Sequence, residues 1–327
     1  MGCRSAFLGI ACALVTLLPP AARSAALSVP VWIESGAAIA DAKFEATLNG
    51  KPVEVSSQMG PGSDQVILVV MDVTGDPSRV DPAREALVSE VSRLPRNAWV
   101  GLLRAQDGLH ALADPAPDRG AATQGILDLP NSGNPGLLET VQPALALADA
   151  LLRKATVRVS VLYITDSNIY QYREDYTNPV INQSDPHDLS RRFPEALVEE
   201  KISKLLDAVA GLEAPLFVIH LNDRGDRLNR AYQNGLQTLA EATGGRTNLC
   251  RSVAEIPEAI AAVFARISSA WRLTLTVPPE VHGFAQVRLS AHSGDEDLRL
   301  SWRSHLASKE RQKNADGAHP NRLHTGL

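Results

Sequence analysis

Two apolar runs that each end in an acidic turn constrain this chain more than any other feature. Val66-Ile67-Leu68-Val69-Val70-Met71 leads into Asp72-Val73-Thr74-Gly75-Asp76, and Val159-Ser160-Val161-Leu162-Tyr163-Ile164-Thr165 leads into Asp166-Ser167-Asn168. A fully apolar strand has no face for water, so it must be covered on both sides, as in a parallel sheet flanked by helices. Ligand sites in such sheets form outside the carboxyl ends of the strands. Two carboxylate-bearing turns at neighbouring strand ends would face one cleft, and oxygen-rich clefts suit hard divalent cations.

The remaining pattern fills in the sheet. Helices are expected over 81–94, with Pro82 near the start, and over 137–154, 195–212, 230–243 and 256–267. In the second of these, Leu138, Val141, Leu145, Ala148 and Leu152 recur at helical spacing. Gly244-Gly245 stops the fourth. Strands are expected at 98–104, 158–165, 215–220 and 246–249, with 108–113 pairing back on the first as a hairpin. Strands alternating with helices predict an α/β fold over about 65–268: a doubly wound, mostly parallel sheet with helices on both faces. A small β unit over 27–62, turning at Asn49-Gly50, precedes it. Three β strands over 270–303 follow it. The polar stretch 304–327 has no apolar period and is expected to be disordered.

Residues 1–26 read as a secretory signal peptide. Arg4 precedes the apolar stretch from Ala6 to Leu18, Pro19-Pro20 follow, and Ser24-Ala25-Ala26 offers a small-x-small cleavage site. The reading predicts a secreted or periplasmic protein with no membrane span after cleavage. Removing Arg4 and Arg23 with the leader takes the formal charge from -5 to -7, which argues against a nucleic-acid surface. Cys3 and Cys12 leave with it, so Cys250 stands alone, read as a buried strand residue rather than a nucleophile.

On these residues the chain resembles the von Willebrand factor A-type fold, in particular secreted bacterial VWFA-related proteins, from roughly Val29 to Trp302. The matching features are Lys43-Phe44-Glu45 running to Val55, the strand before Asp72, the strand before Asp166, and Glu241-Ala242-Thr243-Gly244-Gly245-Arg246 with its following helix. The resemblance implies a metal-ion-dependent adhesion site, with Mg²⁺ (or Ca²⁺ or Mn²⁺) held by a D-x-S-x-S loop, a Thr of a second loop and an Asp of a third, and completed by an acidic residue of a protein partner. Carried over, Asp72 and Thr74 take the first two places, Asp76 stands where the second Ser is expected, and Asp166 is the last Asp. The middle-loop hydroxyl is missing near Pro135-Gly136; Thr140 lies one turn into the helix and Ser132 upstream. Ser167 replaces the usual Gly. Three carboxylates against one dication would present a weaker positive field to an acidic partner. Two outcomes stay open: a cation bound but poorly presented, or a degenerate site with Asp76 turned away.

A polar segment from Ser167 to Pro194 leaves the same edge and holds three of the five tyrosines. Long loops of this kind are commonly functional, and Tyr and Arg favour recognition surfaces. Tyr170, Tyr172, Arg173 and Tyr176 are therefore expected to contact a protein partner. Arg224-Gly225-Asp226 reads as an ordinary turn. The function expected is non-catalytic, exported, protein-binding adhesion or scaffolding with a degenerate metal site. The alternatives are a metal-dependent hydrolase using the same acidic cleft, or a metal-free envelope scaffold. Against the enzyme stands the lack of G-x-S-x-G or H-E-x-x-H and of a His close after either acidic turn.

Overall fold

In the computed structural model, which describes residues 25–34, 41–172 and 195–307, the chain opens with β1 (Ala25–Ile33), β2 (Lys43–Leu48), β3 (Lys51–Val53) and β4 (Val55–Met59). The central run follows: β5 (Gln65–Asp72), α1 (Pro77–Arg93), β6 (Ala98–Arg104), β7 (His110–Ala116), α2 (Gly120–Asp128), α3 (Leu137–Lys154) and β8 (Arg158–Thr165). It continues with α4 (Glu195–Val209), β9 (Leu216–His220), α5 (Arg227–Ala242), β10 (Thr247–Leu249) and α6 (Ile256–Ser268). The chain closes with β11 (Trp271–Val277), β12 (Phe284–Ser293), β13 (Glu296–Asp297), β14 (Leu300–Trp302) and β15 (His305–Ala307).

The central sheet has the order β10-β9-β8-β5-β6-β7. All neighbours are parallel except β6 and β7, which form the expected hairpin. The period of two explains why the core strands are apolar throughout. Val66, Leu68 and Val70 of β5 enter one core with Tyr163 and residues of α3, α4 and α5. Ile67, Val69 and Met71 enter the other with Leu87 of α1, Ile126 of α2 and Phe264 of α6. The chain runs outward from β5 to β6 and β7, then returns to the other side of β5 for β8 and β9. The topological switch point therefore lies between β5 and β8, where Asp72 is in register with Thr165.

The flanking strands interleave. β1 pairs antiparallel with both β11 and β14, β4 pairs with β11, and β2 pairs with β12. The N-terminal and C-terminal strands thus form a single two-sheet β body around Val29, Val31, Leu48, Leu273, Leu275 and Val287. Phe44 packs on Trp271 at 5.2 Å between ring centroids. The chain leaves β3 at Glu54 and crosses to the other sheet as β4, so the arm after Asn49-Gly50 is two strands in two sheets. The start of the stretch expected to be disordered is instead ordered, because His305–Ala307 pairs with Phe284–Gln286 of β12. Residues 1–24, 173–194 and 308–327, with the greater part of the signal peptide and of the tyrosine-rich loop, lie outside the described residues. Among the described residues no helix is long and apolar enough to cross a membrane.

Candidate functional site at the β5–β8 switch point

The two acidic turns do converge, and each carboxylate is already engaged. Asp72 is fully buried. Its Oδ1 accepts the Gly136 N–H at 2.8 Å. Its Oδ2 accepts the Thr165 hydroxyl at 3.0 Å and the Ser167 hydroxyl at 3.4 Å. Burial without water pushes the Asp72 carboxyl up to about 6, against the pull of the Gly136 and Thr165 donors. Asp166 binds across the rim: its Oδ1 accepts the Thr74 N–H at 2.8 Å. Burial raises its pKa, opposed by the Thr74 and Gly75 N–H groups and by the Arg224 charge. Asp166 Oδ2 and Thr74 Oγ1 are buried without a hydrogen-bond partner. A Cβ at position 75 would stand 2.5 Å from Asp166 Oδ2, so a larger residue there would displace that carboxylate.

Asp76 is turned away from both. It is the N-cap of α1, and its carboxylate accepts from the Ser78 N–H at 2.9 Å and the Ser78 hydroxyl at 2.7 Å. Asp76-Pro77 is thus a helix-start signal, with cap then proline, and the helix begins four residues before the expected 81. Thr140 is also spent: its hydroxyl meets the Gly136 carbonyl at 2.6 Å and the Tyr163 hydroxyl at 2.9 Å, inside the core. Where the resemblance implies a hydroxyl ligand, the middle loop offers Asp72 a backbone N–H.

The donor set therefore does not fit a cation held as the resemblance implies. An N–H cannot ligate a metal, Asp72 has both oxygens occupied, and Asp76 faces solvent. Two oxygens, Asp166 Oδ2 and Thr74 Oγ1, are left open, short of the three-loop set that the resemblance implies and of the several protein oxygens that Ca²⁺ gathers. Among the described residues no group of three His, Cys, Asp or Glu side chains converges to hold a metal ion.

Behind Asp72 runs a polar chain that sequence reading missed. Ser167 Oγ meets Thr165 Oγ1 at 2.7 Å and Tyr232 Oη at 3.1 Å, and Tyr232 Oη meets Tyr172 Oη at 3.1 Å. Tyr172, expected to face a partner, is instead buried in this network. Its ring is an apolar body with a hydroxyl that finds a partner inside. Tyr170 is the residue left outside, 57 % exposed. It sits on a single 3-10 turn capped by Asn168 and donates to Asp226 Oδ1 at 3.1 Å. Arg173 and Tyr176 lie outside the described residues. Asp226 also caps α5 through the Asn229 N–H, so the Arg-Gly-Asp stretch is a helix-entry turn.

His220, at the end of β9, has both ring nitrogens in use, Nε2 with the Ser167 carbonyl at 2.8 Å and Nδ1 with the Asn222 N–H at 3.2 Å. Burial drives its pKa down to about 4, so it stays neutral. Cys250 is buried just after β10, and burial raises its thiol to about 11.

No family model matches this chain, and no curated protein matches it. Solved structures similar to it include a von Willebrand factor type A protein from Catenulispora acidiphila, at 13% identity and TM-score 0.46, covering 84% of this chain and 74% of that one. The vWF domain of the type V pili tip protein Mfa5 from Porphyromonas gingivalis is 13% identical at TM-score 0.40, covering 63% of this chain and 95% of that one. BatB from Bacteroides thetaiotaomicron is 13% identical at TM-score 0.39, covering 63% and 99%. Likeness at this level adds nothing to what strand order and register define here: a doubly wound α/β sheet with Asp72 and Asp166 at its switch point.

Proposed function

We propose that this is an exported, non-catalytic protein-binding module whose strand-end rim works without a metal ion. One observation carries the reading: apart from Asp166 Oδ2 and Thr74 Oγ1, the polar groups at the switch point are bonded to one another. Asp72 is taken by Gly136, Thr165 and Ser167, and His220 by Ser167 and Asn222. Asp72 and His220 are therefore not free bases, since a general base needs an open nitrogen or oxygen near its substrate, and among the described residues no His stands beside Thr74 Oγ1 to activate it. A rim tied internally in this way is a rigid platform, and rigid scaffolds carrying exposed loops suit recognition. The exposed elements are Tyr170, Asp76 and the loop that enters α5.

The test has two arms. Calorimetric titration of Mg²⁺, Ca²⁺ and Mn²⁺ into the protein and into Asp166→Ala is expected to give no saturable heat in either. Saturable heat lost in Asp166→Ala would replace the reading with a metal site. Affinity capture from envelope extract with EDTA present is expected to retain a protein that Tyr170→Ala fails to retain. A partner retained only when divalent cations are restored would overturn the metal-free mode.

A further inference from the structure

The loop between β9 and α5 carries Arg224, a half-buried cation whose guanidinium has no partner among the described residues. Leu221 N–H bonds the Thr165 carbonyl at 2.8 Å, and Arg79 Nη1 bonds the Leu221 carbonyl at 2.7 Å, so the loop is fastened to the end of β8 and to the first turn of α1. Gln233 of α5, 2 % exposed, clamps the next residues. With its amide oriented by its surroundings, it accepts the Arg224 N–H at 2.9 Å and donates to the Arg224 carbonyl and to Asp223 Oδ1, both at 3.1 Å. Of the neighbouring arginines, Arg79 is held on Leu221, Arg251 by Asp223 at 3.8 Å and Arg227 by Glu195, while Arg230 is exposed to solvent. The Arg224 side chain is half-buried, and among the described residues its guanidinium meets no acceptor. Its Nε is buried, and its charge acts on both Asp166 and His220.

We propose that Arg224 is the anion-recognising residue of this rim, receiving a carboxylate from an acidic segment of a partner protein directly, with no cation between them. The proposal rests on the protein-binding reading above and names the chemistry of the partner. A guanidinium with its Nε already buried loses less freedom on binding than a fully solvated one, and its planar fork matches a carboxylate. A phosphate dianion fits less well. A single guanidinium would face it, with Asp223 and Asp226 in the same loop and the Asp166 charge acting on that guanidinium from the end of β8. A monoanionic carboxylate meets less of that repulsion.

The experiment is fluorescence anisotropy with a labelled hexaglutamate peptide, in EDTA, on the full chain, with a hexaglutamine peptide as reference. Saturable binding of hexaglutamate alone is expected. Arg224→Gln should weaken it by roughly tenfold or more, as removal of a charge-assisted pair does, with Arg224→Lys in between. Arg288→Gln, which removes an exposed charge from the β body, should leave it unchanged. Equal losses in Arg224→Gln and Arg288→Gln would reduce the effect to bulk charge and overturn the proposal. So would undiminished binding in Arg224→Gln, or inorganic phosphate competing better than acetate. If Tyr170-dependent capture persists while Arg224→Gln changes nothing, the proposal fails and the protein-binding reading stands. If capture itself is absent, that reading fails first.

Discussion

Gly136 donates its N–H to Asp72 at 2.8 Å from a place where no other residue fits, because a Cβ there would run into the Ala105 carbonyl oxygen. Ala105 follows β6 and bonds the Met71 carbonyl through its own N–H at 2.8 Å, so Gly136 is pressed against the strand next to Asp72. Gly136→Ala must push the loop off that strand and break the bond to Asp72. A loss of about 2–3 kcal/mol is expected, the range of overpacking against a fixed neighbour. Gly62→Ala, with nothing within 4 Å of its Cβ, should stay within about 0.5 kcal/mol of the native protein. Urea unfolding of the two variants checks this, and equal stabilities would show that the Gly136 contact constrains nothing.

The pH dependence of stability should show two opposing slopes. Burial raises Asp72 from 3.8 to about 6. Its contribution is complete below about pH 4 and is lost as pH rises toward 6. Burial lowers His220 from 6.5 to about 4. Its contribution is complete above about pH 6.5 and is lost as pH falls toward 4. The two largely cancel between pH 4 and 6. Asp72→Asn removes the first slope, so that variant is expected to lose about 3 kcal/mol on going from pH 6.5 to 4 relative to native. His220→Gln should do the reverse, losing stability relative to native as pH rises over that interval. Unfolding series at several pH values decide it; variants that track the native profile would show that neither group is held as described.

Tyr172 and Tyr232 share a hydrogen bond and an edge-on ring contact, with centroids 5.7 Å apart. Removing either hydroxyl leaves the other, with Ser167, short of a partner. A double-mutant cycle with Tyr172→Phe and Tyr232→Phe is expected to give a coupling of about 1 kcal/mol. Tyr170→Phe paired with Tyr232→Phe should give none, since Tyr170 points to Asp226. Coupling below the error of denaturant unfolding for the first pair would contradict the network.

What could be read in advance follows from how local each signal is. The six apolar residues from Val66 to Met71 require two covered faces, and they fill both cores as the period of two demands. The Asp72 and Asp166 turns were legible as strand ends for the same reason. Asp76 misled because an acid after such a strand serves a helix cap as readily as a cation, and only the following Pro77 favours the cap. Ser167 and Tyr232 became site residues through contacts spanning 65 positions, which no spacing encodes. Tyr172 was misplaced because a tyrosine in a polar loop carries no mark of whether its ring turns in or out. The β1–β11 pairing joins residues more than 200 positions apart, so two separate β units were the only picture that local alternation supports.

Arg158 joins the two bodies. It opens β8, the strand that ends at Thr165 on the rim, and its guanidinium donates to carbonyls of both linkers. Nη2 reaches Pro61 at 2.9 Å and Ser63 at 3.2 Å, and Nη1 reaches Ala270 at 2.8 Å, with Ser268 and Ile267 at 3.3 and 3.4 Å. Burial lowers its pKa to about 10, and the charge survives because those carbonyls replace water. Arg272 repeats the arrangement with Val157 and Ser28, and Arg303 with Ala210 and Leu212. Trp32 of β1 bonds the Arg266 carbonyl and packs edge-on to Phe217 in the sheet domain, while Trp271 sits in the β body. Both bodies should therefore unfold in one transition, with tryptophan fluorescence and far-UV circular dichroism coinciding. Arg158→Met keeps the apolar stem but strands the linker carbonyls, each covered acceptor costing about 1–3 kcal/mol. The fluorescence change is then expected at lower denaturant than the loss of helix signal, with new protease cleavage near residues 60–64 and 268–271. Coincident transitions in Arg158→Met would mean that sheet-to-sheet packing alone holds the bodies together.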